Sequence, residues 1–308
     1  MSRMSSAGGA LGRVAVIGSA NFDLVLGISH RPAPGETVLA ASTESHPGGK
    51  GANQAVAAAR LGSAVSFIGC IGVDSFGDVV TASLVRSGVD VSGVRRVAAP
   101  TATAVILLTP DGENSIVVSA GANASVTTAL VDEVSDVWSG AAVLVLQLEL
   151  PVETVGYAAS AAVARGVRVI LNAAPAAALA PEVLAAADPL VVNENEAAML
   201  LGGYPADRDG AEVAAELLAL GVRSVVLTLG ARGAVFAESG GLPEHVRGRA
   251  VPVVDTTGAG DAFVGALAAR IAHGDALPDA VRFANDAAAF SVGRRGTQDS
   301  YPRREDVA

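Results

Sequence analysis

Apolar residues in this chain fall into short β-branched runs separated by stretches of helical spacing. The runs Arg13–Gly18, Val65–Gly69, Val143–Gln147, Arg168–Leu171, Leu190–Val192 and Ser224–Leu229 read as buried strands. Between and after them, Gln54–Leu61, Asp74–Ser87, Val152–Ala164, Glu194–Leu201, Ala211–Leu220 and Pro278–Val292 read as helices. Gly166-Val167 and Gly221-Val222 end helices and start strands. The alternation implies an α/β fold with a mainly parallel sheet and helices on both faces.

Two segments break this rhythm. Leu24–Ser45 carries short apolar pieces, the turn Arg31–Gly35 and β-type residues such as Thr37 and Val38. Thr101–Leu108 and Ser115–Ser119 read as two more strands, joined by a hairpin at Thr109–Asn114 with Asp-Gly as its turn signal. Paired together, these pieces predict a small antiparallel sheet outside the main layer, a candidate lid over a cleft. The expected division is 13–21, 47–96 and 120–308 for the core, 22–46 and 97–119 for the lid, and 1–12 for a loose Ser/Gly/Ala tail.

One stretch carries more chemistry than pattern. Val251–Val254 leads into Asp255-Thr-Thr-Gly-Ala-Gly-Asp261, and Ala262–Ala272 leads out as a small-residue helix, so the stretch reads strand, glycine turn, helix. A helix start presents unpaired backbone N–H groups and the positive end of the macrodipole, which together suit an anion. Asp261 beside such a site suggests a base that takes a proton from a group attacking a phosphate. Taken alone, the stretch equally fits an N-capping Asp in an ordinary turn.

Polar residues also gather at the ends of the expected strands: Asn21 and Asp23, Gln147 and Glu149, Asn172, Asn193 and Glu196, Thr228 and Gly230. A doubly wound fold brings such residues to one edge of the sheet. Asn21, Asp23, Asn53 and Glu149 suit a polyhydroxylated ligand, and the turn Thr228–Gly233 could hold a nucleotide. Gly18-Ser-Ala-Asn21 stands where a dinucleotide fingerprint would be, which speaks against a dehydrogenase.

Composition narrows the classes. The net charge of −10 argues against nucleic-acid or anionic-membrane partners, so any phosphate site is local. No apolar run is long enough to span a bilayer, and the N-terminus has no signal-peptide core. The single cysteine, Cys70, rules out a disulfide framework within the chain and fits a reducing, cytoplasmic compartment. The four histidines are scattered without metal-ligand spacing. Lys50, inside the second glycine turn Gly48-Gly-Lys-Gly51, is the sole lysine of a chain that otherwise uses arginine. Such a position suggests a compact ammonium near the nucleotide phosphates.

In order along the chain, several stretches are similar to the ribokinase-like carbohydrate and nucleoside kinase (PfkB) family. They are Gly18–Asp23, Pro34–Thr37, Gly48–Gly62, Gly72–Gly77, Gly121–Asn123, Gln147–Glu149, Asn193–Glu196, Thr228–Gly233, Asp255–Asp261 and Arg295–Gln298. The resemblance implies a three-layer sandwich with a β lid that pairs in a homodimer. It implies a phosphotransferase with an alcohol acceptor, passing the γ-phosphoryl of ATP to O5 of D-ribose to give D-ribose 5-phosphate and ADP. Asp261 matches the base, and the amides of Ala259, Gly260 and Asp261 match the anion hole. Asn21, Asp23, Gly49, Asn53 and Glu149 match sugar positions, to which Lys50 is added as a neighbour. Asn193, Thr228, Leu229, Gly230, Ala231, Arg232, Gly233, Gly260 and Asn285 match ATP positions. Glu196 matches a residue acting on Mg²⁺ through water, and Asp255, Thr257, Ser291, Arg294, Gly296 and Ser300 match a K⁺ loop. A kinase of the same fold for 2-deoxyribose, fructose or adenosine, or a non-catalytic sugar-binding protein, stands as the alternative.

Overall fold

Residues 12–111, 113–203 and 208–307 are described in a computed structural model of the chain. Residues 1–11 of the expected tail and residue 112 of the expected hairpin turn lie outside them. The strands are β1 (Arg13–Ile17), β2 (Asn21–Gly27), β3 (Ser42–Gly48), β4 (Ala64–Gly72), β5 (Asp90–Val97), β6 (Ala102–Leu108), β7 (Asn114–Ser119), β8 (Val143–Leu146), β9 (Arg168–Asn172), β10 (Ala187–Asn193), β11 (Ser224–Thr228), β12 (Gly233–Glu238) and β13 (Glu244–Arg247). The helices are α1 (Lys50–Arg60), α2 (Ser75–Arg86), α3 (Thr128–Glu133), α4 (Ser135–Trp138), α5 (Val152–Ala164), α6 (Pro181–Ala186), α7 (Glu194–Leu200), α8 (Gly210–Ala219), α9 (Ala259–Ala272) and α10 (Leu277–Val292).

Nine strands form one sheet in the order β13-β12-β11-β10-β9-β8-β1-β4-β5. From β11 to β5 all neighbours run parallel, and β12 and β13 add an antiparallel edge. Alternation along β1 shows why the sheet is buried on both sides. Ala15 and Ile17 pack with α3 to α8 on one face, and Val14 and Val16 pack with α1, α2, α9 and α10 on the other. The chain leaves β1 towards β4 on one side and reaches β8 on the other, so β1 is the topological switch point where ligands bind in open α/β sheets.

The lid is a separate four-stranded sheet, β3-β2-β6-β7. It corrects one expectation. Its outer pairs are antiparallel, but β2 and β6, which join the two separated segments, run parallel. Asn21, placed in the core by the expected division, is the first residue of β2. The return into β6 is tied to the core at Asp74. Asp74 caps α2 by accepting from Gly77 N, and it also accepts from the Thr101 amide and hydroxyl at 2.8 and 2.7 Å. Phe22 at the base of β2 stacks on Phe76 of α2, ring centroids 4.0 Å apart.

A second correction concerns the approach to the glycine turn. Val251–Val254 forms no strand. Pro252 interrupts the donor pattern a strand needs, and the Val254 and Asp255 amides instead donate to the carbonyl of Val292 at the end of α10.

Candidate active site

Two helix starts face each other at the end of β1. Gly51 at the head of α1 lies against Gly18, and a Cβ on Gly51 would sit 2.6 Å from the Gly18 Cα. Alongside, α9 packs on α1 so tightly that a Cβ on Gly265 would meet Ala57 Cβ at 2.5 Å. These backbone approaches bring Asp261, in the first turn of α9, against Asn53 and Gln54 of α1. Asn53 Nδ2 donates to Asp261 Oδ2 at 3.0 Å, and Gln54 Nε2 donates to Asp261 Oδ1 at 2.9 Å.

This geometry removes the cap reading of Asp261. The N-cap of α9 is Gly258, left-handed at φ 73°, with no side-chain hydrogen bond closing the helix. The Asp261 carboxylate is held by α1 instead. Among the described residues the amides of Gly260 and Asp261 make no hydrogen bond, whereas Ala259 N donates to Thr256 O at 3.2 Å. The free donors of this helix start are therefore the Gly260 and Asp261 amides, with Ala259 already engaged.

Electrostatics converge on the same point. Burial raises the Asp261 carboxyl above its ordinary range; Lys50 and the Asn53 and Gln54 hydrogen bonds oppose the rise, and Glu149 adds to it. Burial would depress the Lys50 ammonium, but Asp261, Glu149, Glu196 and Asp23 around it hold it above its usual value. Asp23 is pushed up to about 7, by burial first and then by Glu149 and Asp261. Its Oδ1 is buried without a partner among the described residues.

The predicted sugar residues are gathered at the base of the lid. Glu149 Oε2 accepts from the Lys50 amide at 3.1 Å and from the Ser19 hydroxyl at 2.5 Å. Asn21 Oδ1 accepts from Asn123 Nδ2 at 2.8 Å. Gly49, at φ 88°, turns the chain so closely past Ala20 and Asn21 that no side chain fits there.

On the opposite side of Asp261, Lys50, Asn193, Glu196, Thr228 and Gly260 line a cavity of about 150 Å³. Asn193 and Glu196 form a capping box at the start of α7, so Glu196 Oε2 is engaged by the Asn193 amide at 2.8 Å. A larger cavity of about 430 Å³ continues past Thr228, Gly230, Ala231, Gly233 and Gly260 to Asn285. Two residues expected there have their side chains engaged elsewhere. Leu229 is buried in the core, and Arg232 pairs with Glu194. Asp255 joins the two halves of the expected cation loop, accepting from the amides of Thr257 at 2.9 Å and Gly296 at 3.0 Å. Ser291 and Ser300 are buried beside it, their hydroxyls donating to Ala288 O and Thr297 O. The Arg294 guanidinium stacks on Phe290, which leaves only its backbone for such a loop.

Comparison with known proteins gives this cleft its context. The profile described as pfkB family carbohydrate kinase matches residues 12–304. The chain belongs to this family. The kinase is 39% identical to a ribokinase of Haemophilus influenzae, covering 95% of this chain and 96% of that one. It is 36% identical to a deoxyribokinase of Salmonella typhi, over 95% and 96% of the two chains. An Arabidopsis thaliana ribokinase solved with ribose and ATP superposes with a TM-score of 0.90 at 34% identity, over 96% and 97% of the two chains.

Four features of this region carry no assignment from the sequence alone. Ser19, which bridges Glu149 and the Gly51 amide, looked like loop filler. Gln54 and Gln298 fall inside stretches that resemble the family, Gly48–Gly62 and Arg295–Gln298, but neither carried an expected role. The apolar wall of the larger cavity, including Val251, Phe263 and Ala288, comes from three separated segments that no spacing rule connects.

Proposed function

We propose that the protein transfers the γ-phosphoryl of ATP to O5 of D-ribose, giving D-ribose 5-phosphate and ADP. The observation that carries this reading is the buried Asp261 carboxylate beside an uncapped helix start, between a polar pocket and a nucleotide-sized cavity. The sugar lies against Asn21, Asp23, Asn53 and Glu149, under the lid. Asp261 takes the proton of the attacking hydroxyl, and the Gly260 and Asp261 amides stabilise charge on the migrating group. Phosphoryl transfer depends mainly on positioning and charge stabilisation, which this arrangement supplies. Lys50 serves as the point charge for the phosphates.

Mg²⁺ fits the phosphate side through Glu196, whose second oxygen is not taken by the capping box, and it would neutralise charge on the nucleotide phosphates. K⁺ fits a loop already drawn together by Asp255, with carbonyl oxygens from 291–300 as ligands. The homodimer is expected through the lid, and the compartment is the cytoplasm. The second reading, 2-deoxyribose as acceptor, draws on the Salmonella relative.

A coupled assay over D-ribose, 2-deoxyribose, fructose and adenosine, with and without K⁺, tests the acceptor directly. D-Ribose is expected to give the highest kcat/KM, and a preference for another acceptor would overturn the assignment. Asp261→Asn is expected to lower kcat by about 10²–10⁴ while leaving sugar binding largely intact. Near-normal turnover in that variant would remove Asp261 as the base.

A further inference from the structure

The buried amides around Asp261 have a direction. Val191 O can only accept, so Asn172 turns Nδ2 towards it at 3.2 Å and presents Oδ1 to Gln54. Gln54 must then offer Nε2, which donates to Asn172 Oδ1 at 3.0 Å and to Asp261 Oδ1 at 2.9 Å. Its own Oε1 accepts from Gln147 Nε2 at 2.7 Å. A second branch reaches the other carboxylate oxygen. The Ser83 hydroxyl donates to Gln298 Oε1 at 2.7 Å, Gln298 Nε2 donates to Asn53 Oδ1 at 3.0 Å, and Asn53 Nδ2 donates to Asp261 Oδ2.

All of these side chains are buried, and each branch ends in an amide N–H that donates to one carboxylate oxygen of Asp261. The first branch ends badly for stability. Gln147 Oε1 is buried without a partner among the described residues, against Gly18. An unpaired buried acceptor costs about 1–3 kcal/mol. The fold keeps the donors aimed at Asp261 and leaves the unsatisfied atom at the far end.

We propose that Gln54 and Gln298 are positioning residues for phosphoryl transfer, the inner members of two amide relays whose polarity holds Asp261 as an oriented acceptor. The proposal rests on Asp261 as the base. Gln54 acts by direct donation. Gln298 acts at one remove, through the orientation of the Asn53 amide. A reversed amide at either place would turn a carbonyl oxygen on the carboxylate and repel it.

Gln298 allows the polarity itself to be tested. Gln298→Met removes the donor to Asn53, and kcat is expected to fall about fivefold; Gln298→Glu offers an acceptor instead, swings the Asn53 Nδ2 away from Asp261, and is expected to lower kcat about fiftyfold. Gln54→Met is expected to lower kcat about tenfold or more, with KM for sugar and ATP within about threefold of the parent. Melting temperatures establish that each variant is folded. A Gln298→Glu variant as active as Gln298→Met would overturn the proposal, as would a Gln54→Met effect confined to KM. A readout without turnover separates this from failure of the functional reading. In the ligand-free protein, the side-chain NH₂ resonances of Gln54 and Asn53 are expected to shift in Asp261→Asn. Resonances that stay in place would sink the relay even if the enzyme proves active on ribose.

Discussion

Asp23 shows how a single residue carries a conflict between stability and use. Its carboxyl is raised to about 7 in the fold against an ordinary 3.8, because burial and the neighbouring Glu149 and Asp261 disfavour the charge. The folded state therefore binds the proton more tightly than the unfolded chain between those two values. Stability falls as pH rises through that window, and the penalty is complete above about pH 7. Asp23→Asn is expected to raise the melting temperature most at pH 8, with a ceiling of about 4 kcal/mol, and to give no advantage near pH 4. The same change is expected to weaken sugar binding, so melts and sugar titrations across pH check both halves. Asp23 and Asp261 were legible in the sequence because each follows a glycine-bearing strand end or turn. Gln54 was not, since its role depends on Asn172 and Gln147, which reach it from other strands.

At the scale of elements, the site depends on how closely α1 and α9 approach. Gly265 lies one helical turn beyond Asp261, and a Cβ there would come within 2.6 Å of the Gln54 carbonyl oxygen. Gly265→Ala has to push the helices apart. A loss of about 1–3 kcal/mol in stability is expected from overpacking. A kcat loss larger than that instability explains is also expected, because Asp261 moves off its donors. Denaturant melts alongside turnover at a temperature where the variant remains folded separate the two effects. Helix periodicity predicted both helices, but α1 begins at Lys50 and α9 at Ala259, earlier than their apolar spacing suggested. The first turns are polar and glycine-rich, which hides them from a pattern built on burial. The β12–β13 edge was missed for a related reason. Its first strand begins inside the glycine turn that was read only as a nucleotide loop.

At the scale of the whole molecule, the lid leaves an apolar strand exposed. Ile116, Val117 and Val118 on β7 are more than half exposed, an apolar stretch that a second lid would cover. Sedimentation at micromolar concentration is expected to report a dimer, and a monomer would contradict the expected assembly. Asp74 is the joint between lid and core, since its carboxylate caps α2 and holds Thr101 at the start of β6. Asp74→Ala is expected to cost about 1–2 kcal/mol as a lost cap. It is also expected to raise sugar KM and sugar-independent ATP hydrolysis, because a loosened lid admits water. Unchanged ATP hydrolysis without sugar would show that the joint is purely structural. The lid's existence was legible from its hairpin signal and broken rhythm. Its parallel central pair was not, because strand direction across a long insertion is set by where the core delivers the chain.

That parallel pair has a consequence for how the protein assembles in time. β2 and β6 cannot be joined by a local turn; between them lie β3, α1, β4, α2 and β5. The entropic barrier of closing so long a loop is expected to be met once β4, α2 and β5 have packed beside β1 and brought Thr101 to Asp74. The chain is therefore expected to form the β1-β4-β5 edge of its core before its lid. Pulse-labelled hydrogen exchange during refolding is expected to protect the amides of β4 before those of β6, and the reverse order would refute the sequence of events.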